Sequence, residues 1–147
     1  VNPIETEDCA AISLQLADGA LASFSVTTGC AREITRHHFC FRNLSAESNL
    51  EPYGNTSEPW TYSGDTPEID QEIHQALEEF KPLPEGMPGL FYRYYRSLSQ
   101  GTELPVTLED ARRSIELITA IYYSARTGQA VDLPIGRDHP YYNGWAE

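Results

Sequence analysis

The side chains of this chain that can carry acid–base, nucleophilic or metal chemistry fall into a few clusters, and their spacing decides what each could do. Asp70 and His74 stand four residues apart, which on a helix sets a carboxylate beside an imidazole and lets it orient or charge the ring. Solvated helix pairs share that spacing and are worth roughly 0.2–0.5 kcal/mol, and the neighbouring Glu72 favours this plainer reading. Cys30, His37, His38 and Cys40 are all zinc-ligand types. On an alternating strand, however, His38 and Cys40 share a face while His37 points the other way and Cys30 precedes the strand, unlike the paired ligand spacings of structural zinc sites. Packing and surface therefore account for the cluster better than a metal does. Phe91 to Arg96 interleaves aromatics with Arg93 and Arg96, as a single-strand nucleic-acid surface would, but the aromatics follow a helical stripe. That pattern predicts core packing, with both arginines on the wet side. The histidines at 37, 38, 74 and 139 have no nucleophile placed beside them, and no nucleophile elbow occurs.

A dinucleotide or phosphate loop needs glycines close together between a strand and a helix, so that the backbone can approach the phosphates without a Cβ in the way. No two glycines here are separated by a single residue. The closest pair, Gly86 and Gly89, flanks Met87-Pro88, and Pro88 removes a donor such a loop would use. Charge narrows the field further. With 22 acidic and 10 basic side chains in 147 residues the formal net charge is -12, which repels phosphate backbones and anionic headgroups. Neither a nucleic-acid nor a membrane-surface role is expected. No apolar run approaches the roughly 18 residues of a membrane span, and the N-terminus lacks the order of a secretory signal. Cys9, Cys30 and Cys40 are an odd count without framework spacing and read as reduced thiols, so the expected location is cytoplasmic. The length suits one domain, residues 1–147, able to bury roughly 68–70% of its unfolded surface without a staple. Val1 in place of Met points to a piece of a longer chain.

The elements that must position these residues are legible from periodicity. Ile12, Leu14 and Leu16 alternate with polar or small residues up to Asp18-Gly19, and Ala20, Ala22, Phe24 and Val26 resume the alternation, which predicts a β-hairpin. A three-residue loop with Gly19 in the left-handed region pairs Ile12 with Phe24 and Leu14 with Ala22, giving one wholly apolar face. A third strand is expected from Ile34 to Arg42, with Phe39 and Phe41 on one face, then a short fourth near Ser45 to Asn49. The polar stretch from Leu50 to Asp65 reads as a loop with a short strand around Trp60 to Tyr62.

Three helices follow. Asp65 or Thr66 caps the first, whose stripe is Ile69, Ile73, Leu77 and Phe80, and Pro82 and Pro84 stop it. The second runs from Pro88 to Ser99 with Leu90, Phe91, Tyr94, Tyr95 and Leu98 as its stripe, ended by Gly101. In the third, Thr107 and Asp110 form a capping box, Leu108, Ala111, Ile115, Ile118, Tyr122 and Ala125 recur at helical spacing, and Gly128 terminates it. Ala130 to Ile135 is expected as a last strand. Strands first and helices after predict an α+β fold, an open and mostly antiparallel sheet with helices on one face.

Taken together, Glu7-Asp8 opening a strand, ADGALASFSV from Ala17 to Val26 and PVTLEDARRSIELITAIYYSARTGQAVDLP from Pro105 to Pro134 resemble the C-terminal domain of the glucose–fructose oxidoreductase and inositol dehydrogenase family. Ser124, Ala125, Thr127 and Gly128 occupy the places of that family's Ser-Ala-x-x-Gly-like turn. The resemblance implies a fold like the C-terminal domain of glyceraldehyde-3-phosphate dehydrogenase and a parent enzyme whose N-terminal Rossmann domain, the natural partner of this one, binds NAD or NADP. The implied reaction is hydride transfer between the nicotinamide and a carbinol carbon of a sugar, inositol or related polyol. Homodimers or larger oligomers through the sheet are implied too. The family's Glu-Lys-Pro lysine and Asp-x-x-x-His relay do not carry over. Phe80-Lys81-Pro82 lacks the glutamate, and Asp70 and His74 come after the first strands and lack the flanking glycines. No catalytic, cofactor-binding or metal residue is assigned to this chain, and it is expected to be inactive alone. Arg32, at a strand approach, and Trp60, in the long loop, are the expected substrate-facing residues. The competing readings are a free-standing interaction or carbohydrate-binding α+β module, since fold does not fix function, and a zinc domain built on Cys30, His38 and Cys40.

Overall fold

In a computed structural model, residues 7–52 and 59–145 are described. They form five strands and three helices: β1 (Cys9–Gln15), β2 (Leu21–Thr27), β3 (His38–Cys40), β4 (Leu44–Glu47), β5 (Thr61–Gly64), α1 (Pro67–Glu79), α2 (Gly86–Gln100) and α3 (Leu108–Thr127). The strands divide into a two-stranded sheet, β1-β2, and a three-stranded antiparallel sheet, β3-β4-β5. The expected α+β class is present, with its open antiparallel strands in two sheets rather than one. The chain divides into two compact units, residues 1–26 with 100–147, and residues 27–99.

In the first unit the hairpin turns as its sequence requires. Leu16 N–H donates to Ala20 O at 2.8 Å and Gly19 N–H to Leu16 O at 2.9 Å, closing a three-residue loop with Gly19 at φ 89. Asp18 Oδ1 accepts from Ala20 N–H at 3.0 Å and fixes the bend. Carried along the ladder, this register sets Leu14 opposite Ala22 and Ile12 opposite Phe24. On that face Ala10, Ile12, Leu14 and Ala22 are half-buried, while Phe24 and Val26 stay 51% and 58% exposed.

The third helix begins in a complete capping box. Thr107 Oγ1 accepts from Asp110 N–H at 3.2 Å, and Asp110 Oδ2 accepts from Thr107 N–H at 2.8 Å. It ends at Gly128, left-handed at φ 68, whose N–H returns to Ser124 O at 2.8 Å. The last strand expected from Ala130 to Ile135 does not form. The Ile135 N–H donates to the Glu116 carboxylate at 2.8 Å instead of to a neighbouring strand, and the chain continues in turns.

In the second unit β3 is three residues long rather than spanning Ile34 to Arg42. Just before it, His37 N–H donates to Ser48 Oγ at 2.8 Å and Ser48 N–H donates to His37 O at 2.9 Å, so a side-chain hydroxyl replaces a carbonyl and the regular ladder stops. The fourth strand begins one residue earlier than expected, and the short strand expected around Trp60 to Tyr62 forms from Thr61 to Gly64. Thr66 caps α1, its Oγ1 accepting from Ile69 N–H at 3.4 Å, and Pro67 fills the first turn where a missing N–H is tolerated. At the β5–α1 junction Gly64 is obligatory. A Cβ there would stand 2.7 Å from Ile69 Cγ2 and 2.9 Å from Asp70 N.

Burial departs from the expected stripes. Among the described residues the buried apolar side chains are Ala46 and Ala120. On α2 the stripe of Leu90, Phe91, Tyr94, Tyr95 and Leu98 is exposed, and the buried positions are Gly89 and Ser97. The core packing expected of those aromatics is therefore absent from the described contacts. On α3 likewise Leu108, Ile115 and Ile118 are exposed, and Glu116, Thr119 and Ala120 are buried. The exposed apolar residues of both helices present surface for burial elsewhere.

Candidate functional site

Phe39, Ala46 and Tyr62 stand in register across the three-stranded sheet and so share one face, with the small Ala46 in the middle. Trp60, two residues before Tyr62, joins that face from the loop leading into β5. Its ring stacks on Phe39 with centroids 6.0 Å apart and planes 21° apart, and on His37 at 6.2 Å and 11°. Phe39 in turn stacks on Phe41 at 6.4 Å. The result is a row of near-parallel rings on which Phe39 is 50% and Phe41 61% exposed. Trp60 itself is half-buried, and its Nε1 is buried without a hydrogen-bond partner among the described residues. An indole N–H left unpaired is costly, about 1–3 kcal/mol, and such groups in native proteins call for an explanation.

Arg32 lies exposed in the irregular segment before β3 and makes no hydrogen bond or ion pair with the described residues. No contact among them joins it to Trp60. Of the two expected substrate-facing residues, the structure sets Trp60 in an organised aromatic face and leaves Arg32 outside it. The sequence reading missed His37 and Tyr62 as members of that face. Tyr62 was within reach, because i and i+2 on a strand share a side; His37 was not, because it precedes the regular ladder.

The opposite face of the sheet is polar. Arg36 Nε donates to Glu47 Oε1 at 2.6 Å, an exposed ion pair of small energetic weight. His38 Nε2 and Cys40 Sγ approach to 3.6 Å, as expected for residues two apart on a strand. Among the described residues no three histidine, cysteine, aspartate or glutamate side chains group so as to hold a metal ion, so the zinc reading of Cys30, His38 and Cys40 has no ligand set. All three cysteines are exposed, and none forms a disulfide among the described residues.

Asp70 and His74 do not form a carboxylate–imidazole pair. Asp70 Oδ1 accepts from Gly64 N–H at 2.7 Å, and His74 Nδ1 donates to the Asp70 main-chain oxygen at 2.7 Å. The Asp70 bond fastens α1 to the end of β5 and the His74 bond stays within α1, so both do structural tasks. The Gly86–Gly89 pair is no phosphate cradle either. A Cβ on Gly89 would meet Pro84 O at 2.0 Å, so that glycine serves close backbone packing. That pair therefore offers no backbone loop for a dinucleotide's phosphates.

At the C-terminal half of α3, Tyr122 OH donates to Glu7 Oε2 at 2.9 Å. Glu7's carboxyl is held below its usual range by its own backbone N–H and by this bond, and the same bond raises the Tyr122 hydroxyl above its usual value. No helix among the described residues is long and apolar enough to cross a membrane.

Residues 1–133 match the family model described as the oxidoreductase family (Gfo/Idh/MocA), C-terminal alpha/beta domain. No curated protein and no solved structure matches the chain significantly.

Proposed function

The chain belongs to the Gfo/Idh/MocA oxidoreductase family, as its C-terminal alpha/beta domain, and from that premise we propose that it is the substrate-side and oligomerising domain of a nicotinamide-dependent dehydrogenase acting on a sugar, inositol or related polyol. The match over residues 1–133 is the observation that carries the reading. In this reading an N-terminal Rossmann domain of the same protein binds NAD or NADP and supplies the catalytic lysine, and this domain contributes no group to the proton or hydride transfer.

Two features support a substrate-side role. The row of Phe39, Phe41, Trp60 and Tyr62 offers flat apolar surface of the kind that receives the C–H face of a sugar or polyol ring. The second expected residue, Arg32, is an exposed guanidinium donor able to reach a hydroxyl. The apolar hairpin face, where Phe24 and Val26 stay open, supports the oligomer interface.

Steady-state kinetics of the dehydrogenase containing this domain test the proposal. Trp60→Ala raises KM for the sugar or polyol about tenfold, the scale of one lost ring contact, with kcat nearly kept, because the residue binds ground and transition states alike. Unchanged KM in both Trp60→Ala and Arg32→Ala removes the substrate-side role while leaving family membership untouched.

A further inference from the structure

Residues 134–145 lie beyond the stretch the family model covers and are tied to one face of α3. Ile135 N–H donates to Glu116 Oε1 at 2.8 Å. Trp145 Nε1 donates to Thr119 Oγ1 at 3.1 Å, and its ring stacks on Tyr122 at 4.8 Å. His139 and Tyr141 meet Tyr123 edge to face at 4.6 and 5.2 Å, and Arg126 Nη1 donates to Tyr141 OH at 3.0 Å. Within the segment, short turns hold the shape: His139 N–H to Gly136 O, Tyr142 N–H to His139 O, Gly144 N–H to Tyr141 O.

This contact differs from permanent helix packing in three ways. The covered face sets buried polar groups, Glu116 and Thr119, beside Ala120 and the rings of Tyr122 and Tyr123, while Leu108, Ile115 and Ile118 of the same helix stay exposed. The covered groups also keep partners when the segment leaves: Arg112 Nη1 donates to Glu116 Oε1 at 3.4 Å, and Thr119 Oγ1 donates to Ile115 O at 2.8 Å. Docking, finally, strands a donor. His139 Nδ1 accepts from Tyr141 N–H at 3.1 Å, which puts the ring hydrogen on Nε2, and Nε2 is buried with no acceptor among the described residues. An orphaned donor opposes the docked state, and the self-satisfied polar groups lose little on meeting water, so the ring contacts are what chiefly hold the segment down.

We propose that residues 134–145 are a strap that docks reversibly on the face of α3 carrying Glu116, Thr119 and Tyr123, leaving and returning while the helix stays folded. It thereby switches Glu116, Thr119 and Tyr123 between a covered and a presented state. Hydrogen exchange on the full-length protein, resolved by residue, tests this. The Ile135 amide, whose protecting acceptor is the Glu116 side chain, exchanges at least about tenfold faster than the central amides of α3. Thr119→Val removes the acceptor of Trp145 Nε1, and Tyr141→Phe removes the acceptor of Arg126 while keeping the ring. Each accelerates Ile135 exchange by about two- to tenfold, the worth of one hydrogen bond, and leaves the α3 rates unchanged. Ile135 exchanging in step with α3 in the parent protein and both variants overturns the proposal, because the tail then opens only when the helix unfolds. No acceleration in either variant overturns it as well.

Discussion

Trp60 combines two opposed contributions in one side chain, a ring that packs and an N–H that finds no partner among the described residues. Substitutions separate them. Trp60→Phe keeps a ring against His37 and Phe39 and deletes the orphan donor, so the urea midpoint stays the same or rises; Trp60→Ala loses the stack and lowers stability by about 1–3 kcal/mol. A fall as large for Trp60→Phe as for Trp60→Ala would mean that Nε1 has a partner after all. Gly64 gives a second test at this scale. With Ile69 Cγ2 2.7 Å from the place a Cβ would take, Gly64→Ala forces α1 away from β5 and costs about 1–3 kcal/mol by denaturant unfolding. An unchanged midpoint would show that the junction yields without strain.

Among the elements, α3 was the most completely legible, and the reason is local. Its capping box and its terminal glycine act within a few residues of sequence, and both stand as read. Thr107→Ala removes the side chain that receives Asp110 N–H and costs about 1 kcal/mol in thermal or urea unfolding. Hydrogen bonds from the Thr107 hydroxyl and then its backbone N–H hold the Asp110 carboxyl below its usual range. A carboxyl lowered on folding stabilises the native state above the ordinary aspartate range. That contribution falls away as pH drops through the ordinary value towards the folded one, and Thr107→Ala shrinks the acid-side loss. An equal acid loss in both proteins would remove the cap from the account. Non-local contacts were less legible. The length of β3 depends on Ser48 reaching His37, the missing last strand depends on Glu116 capturing Ile135, and the aromatic face depends on a register running through Ala46. None of these partners is near its counterpart in sequence. The helical stripes were read correctly as apolar, but periodicity says only that a face seeks burial, not what buries it, and on α2 and α3 that face is open.

For the molecule as a whole, exposed apolar faces coexist with a formal charge of -12. Self-repulsion of that size opposes association at low salt, so the proposed oligomer tightens as salt rises. Light scattering at micromolar concentration should give at least a dimer mass at physiological salt, and Phe24→Asp on the hairpin face should return it towards the monomer; a monomer throughout withdraws the interface. The central claim is a division of labour, with the nucleotide site and the catalytic lysine in a Rossmann domain and the substrate surface here. Calorimetric titration of NADH and NADPH tests that most directly, performed on this chain alone and on the dehydrogenase containing it. The account predicts no binding heat for the chain alone and micromolar affinity for the larger protein, while micromolar binding by this chain by itself would contradict it.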